Sequence, residues 1–325
     1  MNVFARCTSL ERVIIKQGSQ IEYIDAFTFQ DCSKLQYIEI PSTVTYIGAR
    51  AFENCTSLKT VIFENCKNLM QIGESAFSNC ASLISIRIPS SVVKIENGAF
   101  ANCNNLETIE LPFVGHKAQQ GDYEYHDYSF FGYIFGAYYY YDNAKYVPSS
   151  LKNVIINGGT KLRSDAFYNC TSLVNVTINS GVSTIGAGVF KQCTSLETVK
   201  IESGVESITS YAFNNCYSLK RVEIPSTVTF IGENSFPESK ELTIYCEAES
   251  EPETWESEWN YYNCNTVWGY KSEDDHTCEG EEMIISVAPT CTEKGYNVFI
   301  CKTCKKEYQI KIEALGHDVI IHEKK

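Results

Sequence analysis

The chain has little histidine and no long hydrophobic run. Five histidines among 325 residues leave few candidates for general bases. No stretch approaches the roughly 18–20 consecutive apolar residues that cross a bilayer, so no transmembrane segment is predicted in this chain. Basic residues are also scarce, with 27 Lys and Arg against 40 Asp and Glu and a net charge of −13. So acidic a surface argues against nucleic acid or an anionic membrane face as the main partner.

Sequence motifs of catalysis are missing as well. The chain has no phosphate-binding loop, no Gly-x-Ser-x-Gly, no His-Glu-x-x-His, and no Gly-x-Gly-x-x-Gly after a strand. A cysteine nucleophile needs a placed histidine, and the periodic part of the sequence described next contains none. These observations predict that the protein is not an enzyme.

Cysteine and tyrosine are abundant, with 15 and 21 residues. Most cysteines belong to a repeat, Phe-x-x-Cys-x-x-Leu, and a ninth copy at Phe236 keeps Leu242 but lacks the cysteine. Successive cysteines are 23 or 25 residues apart, except for one step of 67 that equals one period plus 44 residues. The phenylalanines of the eight complete copies are Phe4, Phe29, Phe52, Phe77, Phe100, Phe167, Phe190 and Phe213.

Spacings inside one copy predict its local structure. From Phe167 through Cys170 to Leu173 the apolar residues are three apart, which is typical of a helical or 3₁₀ turn. Val176 and Ile178 then alternate as in a short strand. A unit this small cannot bury its apolar edge alone, whereas stacked units can. The repeat therefore predicts an α/β solenoid of about nine 23-residue coils with short parallel strands.

The predicted solenoid covers residues 1–270 and ends in a cap at about 237–270. Its repeat cysteines are predicted to be buried neutral thiols, because cysteine behaves as a small hydrophobe and parallel side chains do not bridge well. Trp255 and Trp259 are predicted to plug the core of the last coil. Cys246 and Cys264 could form a disulfide or stay as buried thiols.

An insertion at 113–150 interrupts the period with an aromatic run. Insertions in a solenoid emerge on one face, which is often the binding face. Tyrosine offers large contact area at low entropic cost, which suits recognition of protein or sugar. In a second interpretation the apolar residues Phe130, Phe131, Ile134 and Phe135 cover the groove, and the tyrosines form a lid. The candidate ligand-binding residues are Tyr123, Tyr125, Tyr128, Tyr133, Tyr138, Tyr139, Tyr140 and Tyr141.

The full repeat resembles a known family. The pattern Ala-Phe-x-x-Cys-x-x-Leu-x-x-Val-x-Ile-Pro-x-x-Val-x-x-Ile-Gly, matched closely at 51–58, is similar to the BspA-like leucine-rich repeat. The resemblance extends over residues 1 to about 268. It implies a leucine-rich solenoid without a cofactor, at a cell surface or secreted. It also implies adhesion and binding of protein or glycan, including host or matrix ligands, rather than catalysis.

Residues 271–325 form a different, small Cys/His module, predicted to be mainly β. The pair Cys301-Lys-Thr-Cys304 has the spacing with which two thiolates hold one zinc ion, and the module resembles a zinc ribbon. His276 and Cys291 are the candidates to complete a structural zinc site. A disulfide is the alternative, because extracellular proteins favour bridges. Alternating residues in 283–288 and 296–300 also predict a hairpin.

Together these features predict a non-enzymatic binding or adhesion protein. The alternative is a structural spacer, or the noncatalytic part of a larger surface protein. The first residues show no signal peptide, and Phe4 to Leu10 already belong to a repeat. We therefore expect the chain to be a fragment of a longer protein.

Overall fold

The structure is a computed structural model that divides into two compact units, Met1–Tyr270 and Lys271–Lys325. The first unit is a solenoid, and the described residues of the second form a small sheet. The structure describes residues 3–15, 19–63, 66–118, 128–271, 281–287, 295–301 and 307–312.

The solenoid is built from short strands that alternate between two sides. Long strands of three or four residues pair in parallel on one side, and two-residue strands pair in parallel on the other. In chain order the strands are β1 (Tyr23–Ile24), β2 (Tyr37–Ile40), β3 (Tyr46–Ile47), β4 (Thr60–Phe63), β5 (Gln71–Ile72), β6 (Ser85–Arg87), β7 (Lys94–Ile95), β8 (Thr108–Leu111), β9 (Asn153–Ile156), β10 (Lys161–Leu162), β11 (Asn175–Ile178), β12 (Thr184–Ile185), β13 (Thr198–Ile201), β14 (Ser207–Ile208), β15 (Arg221–Ile224), β16 (Phe230–Ile231), β17 (Thr243–Cys246) and β18 (Asn265–Val267).

Strand register explains why the repeat spacing matters. In the long-strand sheet each inward residue pairs with its equivalent in the next coil, as Val154 does with Val176 and Val176 with Val199. These inward residues are buried, whereas the residues between them face outward. Parallel in-register pairing is what a 23-residue period predicts. The fold class is confirmed, although regular helix is almost absent from it.

Between the two sides, each coil passes through a turn that carries the repeat phenylalanine. We call the segment from two residues before this phenylalanine to one residue after the repeat cysteine the Phe turn, and the side of the solenoid formed by these turns the turn edge. The phenylalanine rings of successive coils stack with centroids 5.1–5.5 Å apart and planes within 20°. This ladder and the inward aliphatic residues form one continuous core.

The Phe turns of coils 2–5 and 7–9, numbered below, each contain two residues in the left-handed region. The residue before the repeat cysteine is often asparagine, and Asn54, Asn79, Asn169 and Asn215 have φ between 56° and 63°. Asparagine tolerates this conformation better than most residues do. Its amide also reaches the preceding coil, since Asn79 Nδ2 donates to Asn54 Oδ1 at 2.7 Å. Thus a polar residue that the apolar pattern ignores helps to set the shape of the turn.

The backbone hydrogen bonds that link successive Phe turns all run in one direction. Phe52 N donates to Ala76 O at 2.8 Å, and Phe190 N donates to Ala212 O at 2.8 Å. The short-strand side runs the other way, as Gly48 N donates to Ile24 O in the preceding coil at 2.7 Å. Each coil therefore donates hydrogen bonds to the next coil on the turn edge and to the preceding coil on the short-strand side.

The repeat cysteines are buried thiols in seven of eight coils, as predicted, and Cys7 is exposed in the first coil. The thiol of Cys193 donates to the carbonyl of Phe167 in the preceding coil at 3.1 Å, and that of Cys216 to Phe190 O at 2.9 Å. Burial raises the pKa of Cys193 to about 12. No disulfide joins any cysteine in the described part of the solenoid, and Cys246 and Cys264 are buried thiols.

The structure has about ten coils rather than nine, because the insertion contains one. Its long strand β9 pairs with β8 before it and with β11 after it. We number coils 1–5 from Phe4 to Phe100, coil 6 within the insertion, and coils 7–10 from Phe167 to Phe236. The short-strand side is interrupted at coil 6, where β7 pairs antiparallel with Lys117 and a new sheet starts at β10.

The two ends of the solenoid differ. At the first coil Phe4 and Ile14 are exposed, the latter by 72%. At the last coil Trp259 packs edge-on against Phe236, with centroids 5.7 Å apart, and Trp255 packs against Trp259. Both tryptophans are buried, so the predicted plug is confirmed.

The second unit contains a three-stranded antiparallel sheet of β19 (Glu281–Val287), β20 (Gly295–Cys301) and β21 (Glu307–Ile312). The first two strands form the predicted hairpin, with Val287 opposite Tyr296. The third strand was not predicted. In the described residues of the whole chain, the only α-helix covers Asn143–Tyr146, and none is long and apolar enough to cross a membrane.

Candidate binding surface on the turn edge

Coil 6 replaces the ordinary Phe turn with a folded segment of the insertion. This segment contains a fully buried 3₁₀ helix, Phe131–Phe135. The centroid of the Phe131 ring lies 4.7 Å from that of Phe167 in coil 7. Phe100 N donates to Ile134 O at 2.8 Å, the bond that it would make to an ordinary Phe turn. The predicted covering role of Phe130, Phe131, Ile134 and Phe135 is confirmed, as all four are buried.

Asn143 anchors this segment and is itself fully buried. Its Oδ1 accepts a hydrogen bond from Gly132 N at 2.8 Å, and its Nδ2 donates to Tyr168 O at 3.0 Å and to Ala166 O at 3.3 Å. A Cβ on Gly132 would lie 2.4 Å from Asn143 Oδ1, so only glycine fits there. One side chain therefore ties the insertion to coil 7 and fixes the chain between them.

Four consecutive tyrosines stand on this anchored segment. Tyr138–Tyr141 are each exposed by 42–59%. The rings of Tyr139 and Tyr141 stack 5.1 Å apart with planes 5° apart, and Tyr140 packs edge-on against Tyr168 at 5.5 Å. Because Tyr168 directly follows Phe167, the cluster lies on the turn edge. The cluster exposes aromatic faces and hydroxyl groups on a backbone segment that the buried Asn143 anchors.

The other candidate tyrosines have different positions. Tyr133 is buried, unlike the ligand-contacting residue that we expected, because it belongs to the covering helix. It stacks on the half-buried Tyr128 at 4.8 Å and meets the ring of His116 at 5.3 Å. Tyr123 and Tyr125 lie outside the described residues.

His116 and Glu96 form the polar part of this inner cluster. His116 Nδ1 lies 3.5 Å from Glu96 Oε2, yet burial lowers the pKa of His116 and outweighs the attraction of that carboxylate. The imidazole is therefore mostly neutral at pH 7. A cavity of about 160 Å³ lies nearby, lined by Lys117, Lys161 and Arg163 among others. It is smaller than the pockets that enclose small-molecule ligands, so the open surface is the better candidate site.

The predicted zinc site stays a prediction. His276, Cys291 and Cys304 lie outside the described residues, and Cys301 is described only as the end of β20. Among the described residues, no group of three or more His, Cys, Asp or Glu side chains could hold a metal ion.

Comparison with known proteins assigns the solenoid to a repeat family. The family model for the BspA type leucine rich repeat region, present in six copies, matches residues 1–125 and 141–266. The chain belongs to the BspA-type leucine-rich repeat family. The match leaves out part of the insertion, where this member departs from the repeat of its family. None of the curated proteins compared with the chain matched it.

Solved structures show similarity to this leucine-rich repeat protein. Pneumococcal vaccine antigen PcpA is 21% identical over 82% of this chain and 64% of PcpA, with a TM-score of 0.33. The leucine rich repeat protein of T. pallidum is 24% identical over 63% of this chain and 74% of its own, also at 0.33. A leucine rich cell surface protein from Faecalibacterium prausnitzii is 24% identical over 74% and 79%, at 0.28. The chain thus spans less than two thirds of PcpA.

Two functional features escaped the sequence interpretation. Asn143 was not singled out, since its role depends on partners 11 and 23 or more residues away in the chain. Coil 6 was missed because no Phe-x-x-Cys pattern marks it. A signal for it does exist, as Leu151, Val154 and Ile156 keep the Leu-x-x-Val-x-Ile spacing of the repeat.

Proposed function

We propose that this protein is a non-catalytic recognition protein, at a cell surface or secreted, that holds protein or glycan ligands on the turn edge of coil 6. The exposed cluster Tyr138–Tyr141 on a buried anchor supports this proposal most directly. A rigid platform loses little entropy when a ligand binds to it, and tyrosines contribute strongly at such interfaces. Membership of a leucine-rich repeat family whose proteins are generally binding proteins points the same way.

The position of the cluster also favours recognition over a purely structural role. The covering function of the insertion is carried by buried residues such as Phe131 and Phe135, which need no exposed neighbours. Four adjacent exposed tyrosines bury little surface within the chain, and such contiguous aromatic surface is typical of interaction sites. Their exposed faces are therefore available for a contact that the described part of the chain does not make.

The test compares the full chain with a variant in which Tyr138, Tyr139, Tyr140 and Tyr141 are all replaced by serine. Both are applied to immobilised extracellular matrix proteins and to a glycan array. We expect the parent to bind and the variant to lose binding without a change in thermal stability. Tyr23→Ser is the matched control, because Tyr23 is equally exposed but lies on the short-strand side in β1.

Other outcomes overturn the proposal. Binding that the quadruple variant retains would place the site elsewhere on the solenoid. Failure of the parent to bind any ligand on either panel would favour a structural spacer.

We further propose a structural zinc ion in the second unit, held by Cys301 and Cys304 with His276 and Cys291. A module of roughly 50 residues has too small a core to be stable without a metal or a bridge. The purified full chain should then contain about one zinc per molecule, measured by elemental analysis, and Cys301→Ser should abolish it. A mass two hydrogens lower per bridge under non-reducing conditions, without zinc, would establish a disulfide instead.

A further inference from the structure

Exposed tyrosines continue along the turn edge beyond coil 6. Within residues 128–271, nine large apolar side chains are exposed, and eight are tyrosines on this edge, the ninth being Val267. Two lie in the Phe turn of coil 9 and two in the equivalent turn of the cap, next to Trp259. Beyond the first cluster these residues are Tyr211, Tyr217, Tyr261 and Tyr262.

Tyr211 and Tyr217 are not part of the repeat pattern, whereas Tyr261 stands three residues before Cys264, as a repeat phenylalanine stands before its cysteine. In coils 3, 4 and 5 the position of Tyr217 is held by Thr56, Ala81 and Asn104. Tyr211 occupies a left-handed position with φ of 61°, which Gly188 and Asn234 hold in the adjacent coils. Bulky residues adopt this conformation at an energetic cost, and among the described residues Phe27 is the other aromatic one that does so. The stack of coils does not require these rings.

Together with the half-buried Tyr168 of coil 7, the tyrosines of coil 9 and of the cap turn after coil 10 form a regular series. From coil 7 to the cap, aromatic side chains recur at every second turn, or about every 9.6 Å at a strand spacing of about 4.8 Å. The cluster Tyr138–Tyr141 of coil 6 lies one turn before this series. From coil 6 to the cap the row covers five steps, about 24 Å.

This period discriminates between ligand conformations. An extended β-strand presents one face every two residues, about every 6.7 Å, which does not match the row. A polyproline II helix repeats every three residues at about 3.1 Å per residue, so it presents one face about every 9.3 Å. Aromatic surfaces are also the usual docking sites of such helices, which enter the complex already ordered.

The charge of the residues along the tyrosine row narrows the class of ligand further. The first half of the row carries Lys145 and Lys191, whereas the turn segments 209–217, 232–239 and 256–264 of the second half contain four glutamates and no basic residue. Tyr211 Oη lies 3.2 Å from Glu233 Oε1, and the pKa of Tyr211 is raised chiefly by that carboxylate and also by Glu258. The potential along this part of the edge is negative and favours a cationic ligand.

We infer that the turn edge from coil 6 to the cap binds a basic, proline-rich peptide segment in the polyproline II conformation. The inference rests on the proposed function, and it names the ligand class for the same tyrosine surface and its extension. About eight residues of such a helix cover the row. One face of the helix packs its prolines on the tyrosines, and its basic side chains meet the glutamates.

The test measures fluorescence anisotropy of labelled nine-residue peptides, about 28 Å long in this conformation, titrated with the full chain. Three repeats of Arg-Pro-Pro form the probe. Three repeats of Arg-Gly-Gly keep the charge without the preformed helix, and three of Glu-Pro-Pro keep the helix with the opposite charge. We expect Arg-Gly-Gly to bind at least about tenfold more weakly than the probe, and Glu-Pro-Pro to show no saturable binding.

Variants locate the binding. Replacing Tyr211 and Tyr217 together by serine should weaken the probe by about tenfold or more, whereas the Tyr23→Ser control should leave it unchanged. Glu233→Gln should have a smaller effect that disappears at high salt. Circular dichroism melting identifies any variant that weakens the peptide only by unfolding the chain, and Tyr211→Phe then retains the ring as a second variant.

Three results overturn the inference. Equal binding of the Arg-Pro-Pro and Arg-Gly-Gly peptides would show that the peptide is held only by nonspecific charge attraction. An affinity that the double variant does not change would remove the peptide from this edge. Binding of neutral oligosaccharides, with no peptide binding, would give the tyrosines a glycan ligand. In that last case the proposed function stands, because its own test on Tyr138–Tyr141 uses proteins and glycans independently of this peptide.

Discussion

Coil 6 and the ordinary coils solve the same packing problem with different chain lengths. In coil 8 the turn from Phe190 to Leu196 delivers a ring, a thiol and a leucine to the core within seven residues. In coil 6 the ring comes from Phe131 and the leucine is Leu151, twenty residues later. The long strand that follows pairs in the same register in both coils. The comparison shows that a longer and differently folded turn can be inserted on the turn edge without changing the register of the long strands.

Loss of a ladder ring is the strongest test of this equivalence. Phe190→Ala should destabilise the solenoid by about 3–5 kcal/mol, because it leaves a ring-sized cavity between two stacked neighbours. If Phe131 is a true member of the ladder, Phe131→Ala should cost about the same. Urea unfolding monitored by circular dichroism measures both. A loss of unfolding free energy below about 1 kcal/mol for Phe131→Ala would show that the Phe131 ring is not packed into the core as the ladder rings are.

Removal of the anchor should have the next largest effect and should separate the two kinds of coil. Asn143→Ala leaves the buried amide of Gly132 and the carbonyls of Ala166 and Tyr168 without this partner, at about 2–3 kcal/mol. Hydrogen exchange should accelerate in 128–147, while coils 8–10 stay protected. Acceleration spread evenly over coils 7–10 would contradict the local role of this side chain.

Alkaline pH should act on the ordinary coils through their repeat cysteines, which coil 6 lacks. In the folded chain the thiols of Cys55, Cys103 and Cys193 keep their protons to about pH 12, because burial raises their pKa. In the unfolded chain they ionise near the ordinary value of 9, so the unfolded state binds fewer protons above that pH. Stability should therefore fall between pH 9 and pH 12.

Chemical denaturation at several alkaline pH values measures that slope. Cys193→Ala should lower it, and Cys7→Ala, at the exposed position, should not. A thiol reagent at pH 8 should label Cys7 rapidly and Cys193 only on unfolding. Rapid labelling of Cys193 in the native chain would contradict its burial.

The smallest expected effect concerns His116 in the insertion. Its pKa is lowered in the folded chain, so the unfolded chain binds more protons just below pH 6.5. Stability should decline as the pH falls from about 6.5, and His116→Gln should remove this part of the decline. Thermal melting at pH 7 and pH 5 measures it. An equal decline in His116→Gln would assign it to other groups.

The ordinary coils were predictable from sequence because their core residues recur at fixed offsets. Phe167, Cys170 and Leu173 are all buried where the pattern places them. Coil 6 was not, because its ring and its leucine are far apart in the chain and no fixed spacing links them. Tyr133 was assigned to the surface for a similar reason. Residue type alone does not separate it from Tyr138, whereas the buried helix in which it lies does.

Some details of the ordinary coils also lay beyond the pattern. Burial of the cysteines follows from their apolar neighbours, but the bond from Cys193 to the carbonyl of Phe167 depends on how far one coil lies from the next. The tyrosine row could have been noticed in the sequence, since Tyr217 stands where other copies have smaller residues. Its spacing became visible only when the turns of coils 7 and 9 were compared with the turn of the cap.

The one-way hydrogen bonds of the Phe turns give the solenoid an internal electrical pattern. Each peptide group carries a dipole of about 3.5 D, and groups whose N–H bonds all point along one axis add together. On the turn edge these dipoles point toward the cap, as in Phe52 to Ala76, and on the short-strand side they point back, as in Gly48 to Ile24. The two rows oppose each other, so their axial moments subtract, while each edge is polarised from end to end.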